Sequence, residues 1–313
     1  MMKQSHYKWL KAGIICSVTG AILIFAGYLN DGRSYVAHAD LNRLEWSARS
    51  DVPARVSTQP RTDLGALDSV DISFTDLDLE ILPSEDDHCA IAWEVASVNG
   101  KSPVDYEVKS GALTVTESGH TGDSYIHIDI SFLADLFCGK KAEHPADTVY
   151  LYVPTEKFRQ VSIHNTMGDV SVDGLQAAHG SLSLDDGDAV CTNCQFSDFS
   201  FQNTLGELTI SDSTLDTCDI TMSDDDLTLD HNQYQGTVSV TNKLGDVTLT
   251  DSSDTLQSLG LQLSTRLGEI SLPSLLAQAL PKNDDVLSHY QQNGSVDTLL
   301  NVTCTDGDIC LNE

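Results

Sequence analysis

Basic residues are scarce in this sequence: 17 Lys and Arg stand against 47 Asp and Glu in 313 residues. That deficit argues against nucleic acid or an anionic lipid surface as a partner, because both would be repelled. Catalytic signatures are missing as well. No G-x-S-x-G, H-E-x-x-H or P-loop occurs, so the commonest routes to acyl, zinc-hydrolytic and phosphoryl chemistry have no marker here. The lone C-x-x-C, Cys191 to Cys194, lacks the second pair or the histidines that zinc takes. Neither EF-hand spacing nor a GGxGxDxUx nonapeptide is present to mark a calcium loop. Aromatic residues make up only 6% of the chain, while Ser, Thr, Asp, Gly and Val are plentiful. Such a composition suits many short strands joined by polar turns.

Long apolar runs are also rare, and the one that matters is amino-terminal. Lys3, Lys8 and Lys11 precede AGIICSVTGAILIFAGYL (12–29), 18 residues without a charge. That length spans a bilayer as a helix, and the basic flank places the amino terminus in the cytoplasm. The rival reading is a cleaved signal peptide, with Ala37-His38-Ala39 as the cleavage site. The expected organisation is an anchor over 1–33, a polar stalk over 34–67 with a short helix around 40–49, and an extracytoplasmic β domain over 68–313. Without Lys3, Lys8, Lys11, Arg33 and Asp31 the exported part holds 46 acids and 13 bases, a formal charge of −33. Seven of the eight cysteines lie in it. Disulfides are possible outside the cytosol, and Cys89 with Cys138 or Cys304 with Cys310 are candidate pairs, the connectivity being open.

From residue 68 the pattern alternates in period two. VDISF, DLDLEIL, CAIAWEV, ALTVTES, YIHIDISF and TVYLYVP read as strands. From about 161 a repeat sets in. NTMGDVSV (165–172) returns as QNTLGELTI (202–210), TNKLGDVTLT (241–250) and STRLGEISL (264–272), with LDDGDAVCTN (184–193) and MSDDDLTLD (222–230) between them. The turn glycine or its replacement stands at Gly168, Gly187, Gly206, Asp225, Gly245, Gly268 and Gly307, in steps of 19, 19, 19, 20, 23 and 39. After each turn come two apolar residues around a polar one, such as Leu208 and Ile210 around Thr209. A second apolar pair per coil (Phe199/Phe201, Ile220/Met222) and a third anchor (Phe196, Leu215, Tyr234) complete the unit. The fold class this predicts is all-β: a β-solenoid of 19–20-residue coils, each burying its apolar edge only against its neighbours. The corners alternate between N-x-x-G and Asp-rich forms, so a 38-residue unit of two coils is equally open. The long last step contains PSLLAQALPKNDDVLSHYQQ (273–292), which reads as a helical insertion.

These residues, with the preceding TVYLYVPTEKFRQVSI and the apolar amino terminus, resemble the bacterial adhesin-like β-strand-repeat family of unknown function. The resemblance covers residues 68–313. It implies a membrane-anchored envelope protein with an adhesin-like role, and it supplies no catalytic residue.

The residue after each turn position is acidic: Asp169, Asp188, Glu207, Asp226, Asp246, Glu269 and Asp308. In stacked coils these carboxylates fall about 5 Å apart. One reading is turn chemistry, in which Asp bonds its local backbone. The other is a Ca²⁺ or Mg²⁺ column, since both ions take carboxylate oxygens. An enzyme would need more than this. Residues 161–272 hold 18 acids and only two bases, Lys243 and Arg266; His164, His179 and His231 share no ligand spacing, and Asp185/Asp186 read as a solvated turn rather than a catalytic pair. The expectation is therefore a non-catalytic binding module for cationic partners: an envelope protein, a basic peptide or a divalent cation. A structural spacer and a β-helix carbohydrate enzyme are the alternatives.

Overall fold

Alternating strands with a tight turn every 19 residues leave one apolar row per strand, and the chain buries those rows by coiling. A computed structural model describes residues 56–85, 88–96, 101–118, 147–155, 157–278, 286–294 and 297–313. The apolar run 12–29, Ala37–Ala39, the helix expected around 40–49, the strand YIHIDISF, Cys16 and Cys138 lie outside the described residues. Among the described residues no helix is long and apolar enough to cross a membrane.

The described chain is all-β apart from two short helices, Ser253–Ser258 and Ser274–Ala277. Two long sheets run the length of the stack. The first takes one four-residue strand from each regular coil: Val170–Asp173, Ala189–Thr192, Leu208–Ser211, Leu227–Asp230 and Val247–Thr250, all parallel. The second takes the longer strands Gly180–Asp186, Gln195–Leu205, Thr214–Asp224 and Gln233–Leu244, also parallel. The register is one coil: Leu208 faces Ala189 on one side and Leu227 on the other. The single 20-residue step is a bulge, for the pairing slips between Asp216/Gln235 and Asp219/Ser239, beside Gly236. The predicted inward residues are buried, including Phe196, Phe199, Phe201, Leu208, Ile210, Leu215, Ile220 and Met222. Phe196, Phe199 and Phe201 meet with ring centroids 4.6–5.0 Å apart.

Three features depart from the sequence reading. The regular stack starts before residue 161: Ser69–Phe74 and Asp78–Pro83 form a coil directly beneath the Gly168 coil, with Ile72 opposite Ile163 and Leu79 opposite Val170. Its corner, Thr75-Asp76-Leu77, carries no glycine and so escaped the count. Part of the 34–67 stretch is not a stalk, since Val56–Gly65 is a strand paired antiparallel with Cys89–Ala96 at the edge of the first sheet. Pro60 falls where that register slips, the place where a residue without an N–H does least harm. Among the described residues of the 273–292 insertion one turn, Ser274–Ala277, is helical, and His289–Gln292 is a strand antiparallel to Gly260–Thr265.

The coils are also not stacked in chain order. The last coil, Thr298–Asp306 with Ile309–Asn312, lies between the Gly245 coil and the Gly268 coil. Gly307 therefore sits on Gly245, and Gly268 on Gly307. Along the chain two Leu-Gly corners (Leu244, Leu267) are followed by an Asp-Gly corner (Asp306). Inserting the last coil separates the leucines. The residue before the turn position then alternates up the stack: Asp76, Met167, Asp186, Leu205, Asp224, Leu244, Asp306, Leu267. Chain order would set Leu244 against Leu267. The observed order instead sets Asp306 between the two leucines, two coils from Asp224.

Candidate functional site along the glycine corner

Each coil enters the first sheet through a corner whose turn residue rests on the one below. Gly206 has φ +112°, and a Cβ there would lie 2.3 Å from the carbonyl oxygen of Gly187. Glycine is demanded both by backbone angle and by close approach. Asp225 takes the same place with φ +100°, a strained conformation for a residue with a side chain. Asp225→Gly is expected to stabilise the protein by about 1 kcal/mol, strain relief outweighing the longer Asp225 contact; a rise in thermal midpoint checks this. Lost there is the 3.2 Å bond from the Asp226 N–H to Asp225 Oδ1.

The structure brings all seven predicted acids into one column and adds an eighth, Asp78, beneath them. Each aspartate binds the backbone of the coil above. The N–H of Asp169 donates to Asp78 Oδ1 (2.9 Å), that of Asp188 to Asp169 Oδ1 (2.9 Å) and that of Glu207 to Asp188 Oδ1 (2.9 Å). Higher up, the N–H of Asp246 donates to Asp226 (2.7 Å), that of Asp308 to Asp246 (2.7 Å) and that of Glu269 to Asp308 (2.8 Å). The ladder skips once. The Asp226 N–H donates to Asp225 instead of Glu207. Glu269, the other glutamate, tops the column. The two positions where no inter-coil bond is needed are thus the two that hold Glu.

This pairing adds a third reading to the two open from sequence. The aspartates do bond backbone, but the backbone of a neighbouring coil rather than their own turn, and charge-assisted bonds to N–H groups need no cation. Among the described residues, no three His, Cys, Asp or Glu side chains are gathered as a metal site requires. Ca²⁺ or Mg²⁺ at millimolar concentration is therefore expected to raise the melting temperature no more than NaCl at matched ionic strength. An excess that vanishes when Asp169, Asp188 and Asp246 become Asn would establish the metal column instead.

Behind the carboxylates, buried asparagines clamp the turns. Asn203 Nδ2 donates to the carbonyls of Gly187 (3.0 Å) and Gly206 (2.9 Å), and Asn242 Nδ2 to those of Asp225 (3.1 Å) and Gly245 (3.2 Å). One amide serves two coils. Asparagine is then needed only at every second coil, and Leu184 and Met222 fill the intervening positions. A 19-residue structural coil with a 38-residue sequence signature follows directly.

The remaining candidates are dispersed. His179 and His231 form exposed pairs with Asp198 (2.9 Å) and Asp230 (2.7 Å), and His164 is exposed on a second-sheet strand. Cys191 and Cys194 point into the core; burial pushes the Cys191 thiol well up and that of Cys194 to about 12. Cys304 faces inward from the second sheet and Cys310 is half-buried on the first, so that candidate pair is not joined. Burial also raises Cys218 to about 12. Iodoacetamide at pH 8 is expected to label Cys310 before Cys191, Cys194 or Cys218, as peptide mapping would show, because thiolate is the reactive form.

A family model described as Toastrack DUF4097 matches residues 67–217 and 157–312. No curated protein matches the chain. Among solved structures, a "putative cell adhesion protein" of Clostridium sporogenes is 11% identical with a TM-score of 0.38, over 83% of this chain and 99% of the other. A "putative adhesin" of Parabacteroides distasonis is 10% identical with a TM-score of 0.41, over 82% and 97%.

Proposed function

The chain belongs to the Toastrack DUF4097 family, and we propose that it is a non-catalytic binding module of the bacterial cell envelope that favours cationic partners. The observation that carries this reading is the unbroken line of acidic residues from Asp78 to Glu269 along one corner of the stack. Coil stacking fixes those charges in a row, so their potentials add over the surface. Lys243 and Arg266 are the only bases among residues 161–272. Among the described residues no histidine pairs with a carboxylate of this column, which favours binding over catalysis.

In this proposal residues 12–29 hold the chain in the membrane, with the amino terminus cytoplasmic and the stack outside. The full chain should then fractionate with membranes and be open to external protease; a soluble form beginning at Asp40 would overturn the anchor. Binding is tested by a pull-down from envelope extract with the full chain. Basic proteins should be retained at about 50 mM salt and released at about 500 mM, where the Debye length falls below 5 Å. Retention of nothing at low salt would leave a structural spacer as the reading.

A further inference from the structure

Leu205, Leu244 and Leu267 are exposed by 44%, 46% and 61% on the same corner, and Met167 is half-buried in line with them. They occupy every second coil of the alternating column. Successive members are therefore about 9.6 Å apart, two strand spacings, and the row from Met167 to Leu267 covers about 29 Å. Asp186, Asp224 and Asp306 fill the gaps. Two residues further along the chain runs the carboxylate column. Lys243 and Arg266 also stand on this corner, Lys243 reaching back to the Ser223 hydroxyl (3.2 Å), but the acids far outnumber them.

We propose that this ridge is a docking site for an extended cationic peptide in the polyproline II conformation, with an apolar side chain at every third residue and Lys or Arg between. The proposal rests on the cationic-partner reading above and names its site. A polyproline II helix has three residues per turn and rises about 3.1 Å per residue, so one face repeats every 9.3 Å. Over the row from Met167 to Leu267 nine residues cover about 28 Å, within about 1 Å of the ridge. A β-strand fails because residues three apart point to opposite faces. An α-helix presents i and i+7 at about 10.5 Å, and the face drifts by about 20° per heptad. Charge complementarity selects the occupant: basic residues beside each apolar anchor meet Asp186, Asp224 and Asp306. A second copy of this chain, equally acidic, would be repelled.

The test is fluorescence anisotropy of the full chain with a labelled peptide of four Leu-Lys-Pro repeats. Its comparators are a scramble that breaks the three-residue spacing and a version with Ser for each Leu. The regular peptide is expected to bind about tenfold tighter than either comparator. The triple variant Leu205→Ser, Leu244→Ser, Leu267→Ser should lose that advantage with its melting temperature unchanged. Val190→Ser, which removes an exposed apolar residue on the first sheet, should keep it. Equal binding of regular and scrambled peptides overturns the ridge, as does an undiminished preference in a folded triple variant. If both peptides bind equally and salt releases them, the cationic reading stands without the ridge. If neither binds at low salt, both fall. The peptide comparison on the native chain decides even if the triple variant fails to fold.

Discussion

Leu208→Asp is expected to destabilise the fold by about 3–5 kcal/mol, whereas Thr209→Asp, one residue along, should change stability by less than about 0.5 kcal/mol. Leu208 is 2% exposed and lies in register between Ala189 and Leu227. A carboxylate there would lose its water and find only apolar neighbours, with no donor to compensate. Thr209 points out between Val190 and Thr228, where an added Asp stays hydrated. Urea unfolding of the two variants beside the native chain measures the difference. A reversed result would mean that the inward and outward rows have been exchanged, since a one-residue slip moves every side chain to the other face, and equal losses would mean that this strand does not have one buried and one exposed face.

Gly206→Ala is the second large effect, at about 2–4 kcal/mol. The new methyl meets the Gly187 carbonyl oxygen at 2.3 Å and its carbon at 2.7 Å. Both are backbone atoms of the coil below, so relief requires the coils to part. The positive φ adds a cost of its own, about 1–2 kcal/mol for an L-residue. Gly65→Ala separates the two contributions. Gly65 has φ +74° but nothing within 4 Å of the added Cβ, so only the backbone cost, about 1–2 kcal/mol, is expected there. If the two substitutions cost the same, close stacking contributes nothing and the glycine column reflects backbone angle alone. Asp225 shows that the stack tolerates one side chain at this position, at a strain of about 1–3 kcal/mol.

The sequence by itself determined the coil, its inward rows and its line of acids. Leu208, Ile210, Phe199 and Phe201 are legible because burial on one face of a strand forces period-two alternation. Asp169 to Asp308 are legible because each follows a turn of repeated form. Tertiary structure alone decided which coil lies on which. Every coil offers its neighbours the same ladder of N–H and C=O groups and the same apolar rows. Alternation within a coil therefore carries little information about order between coils. In the stack the last coil, with Asp306, sits between those of Leu244 and Leu267, although in the chain it follows both. The same physics hid Asp78, whose corner lacks the glycine, and the inter-coil partner of each aspartate, an N–H 19, 20, 39, 62 or 91 residues away and in one case, Glu269, earlier in the chain than its acceptor. A hydrogen bond across coils leaves no mark on local periodicity; only stacking brings its two ends together.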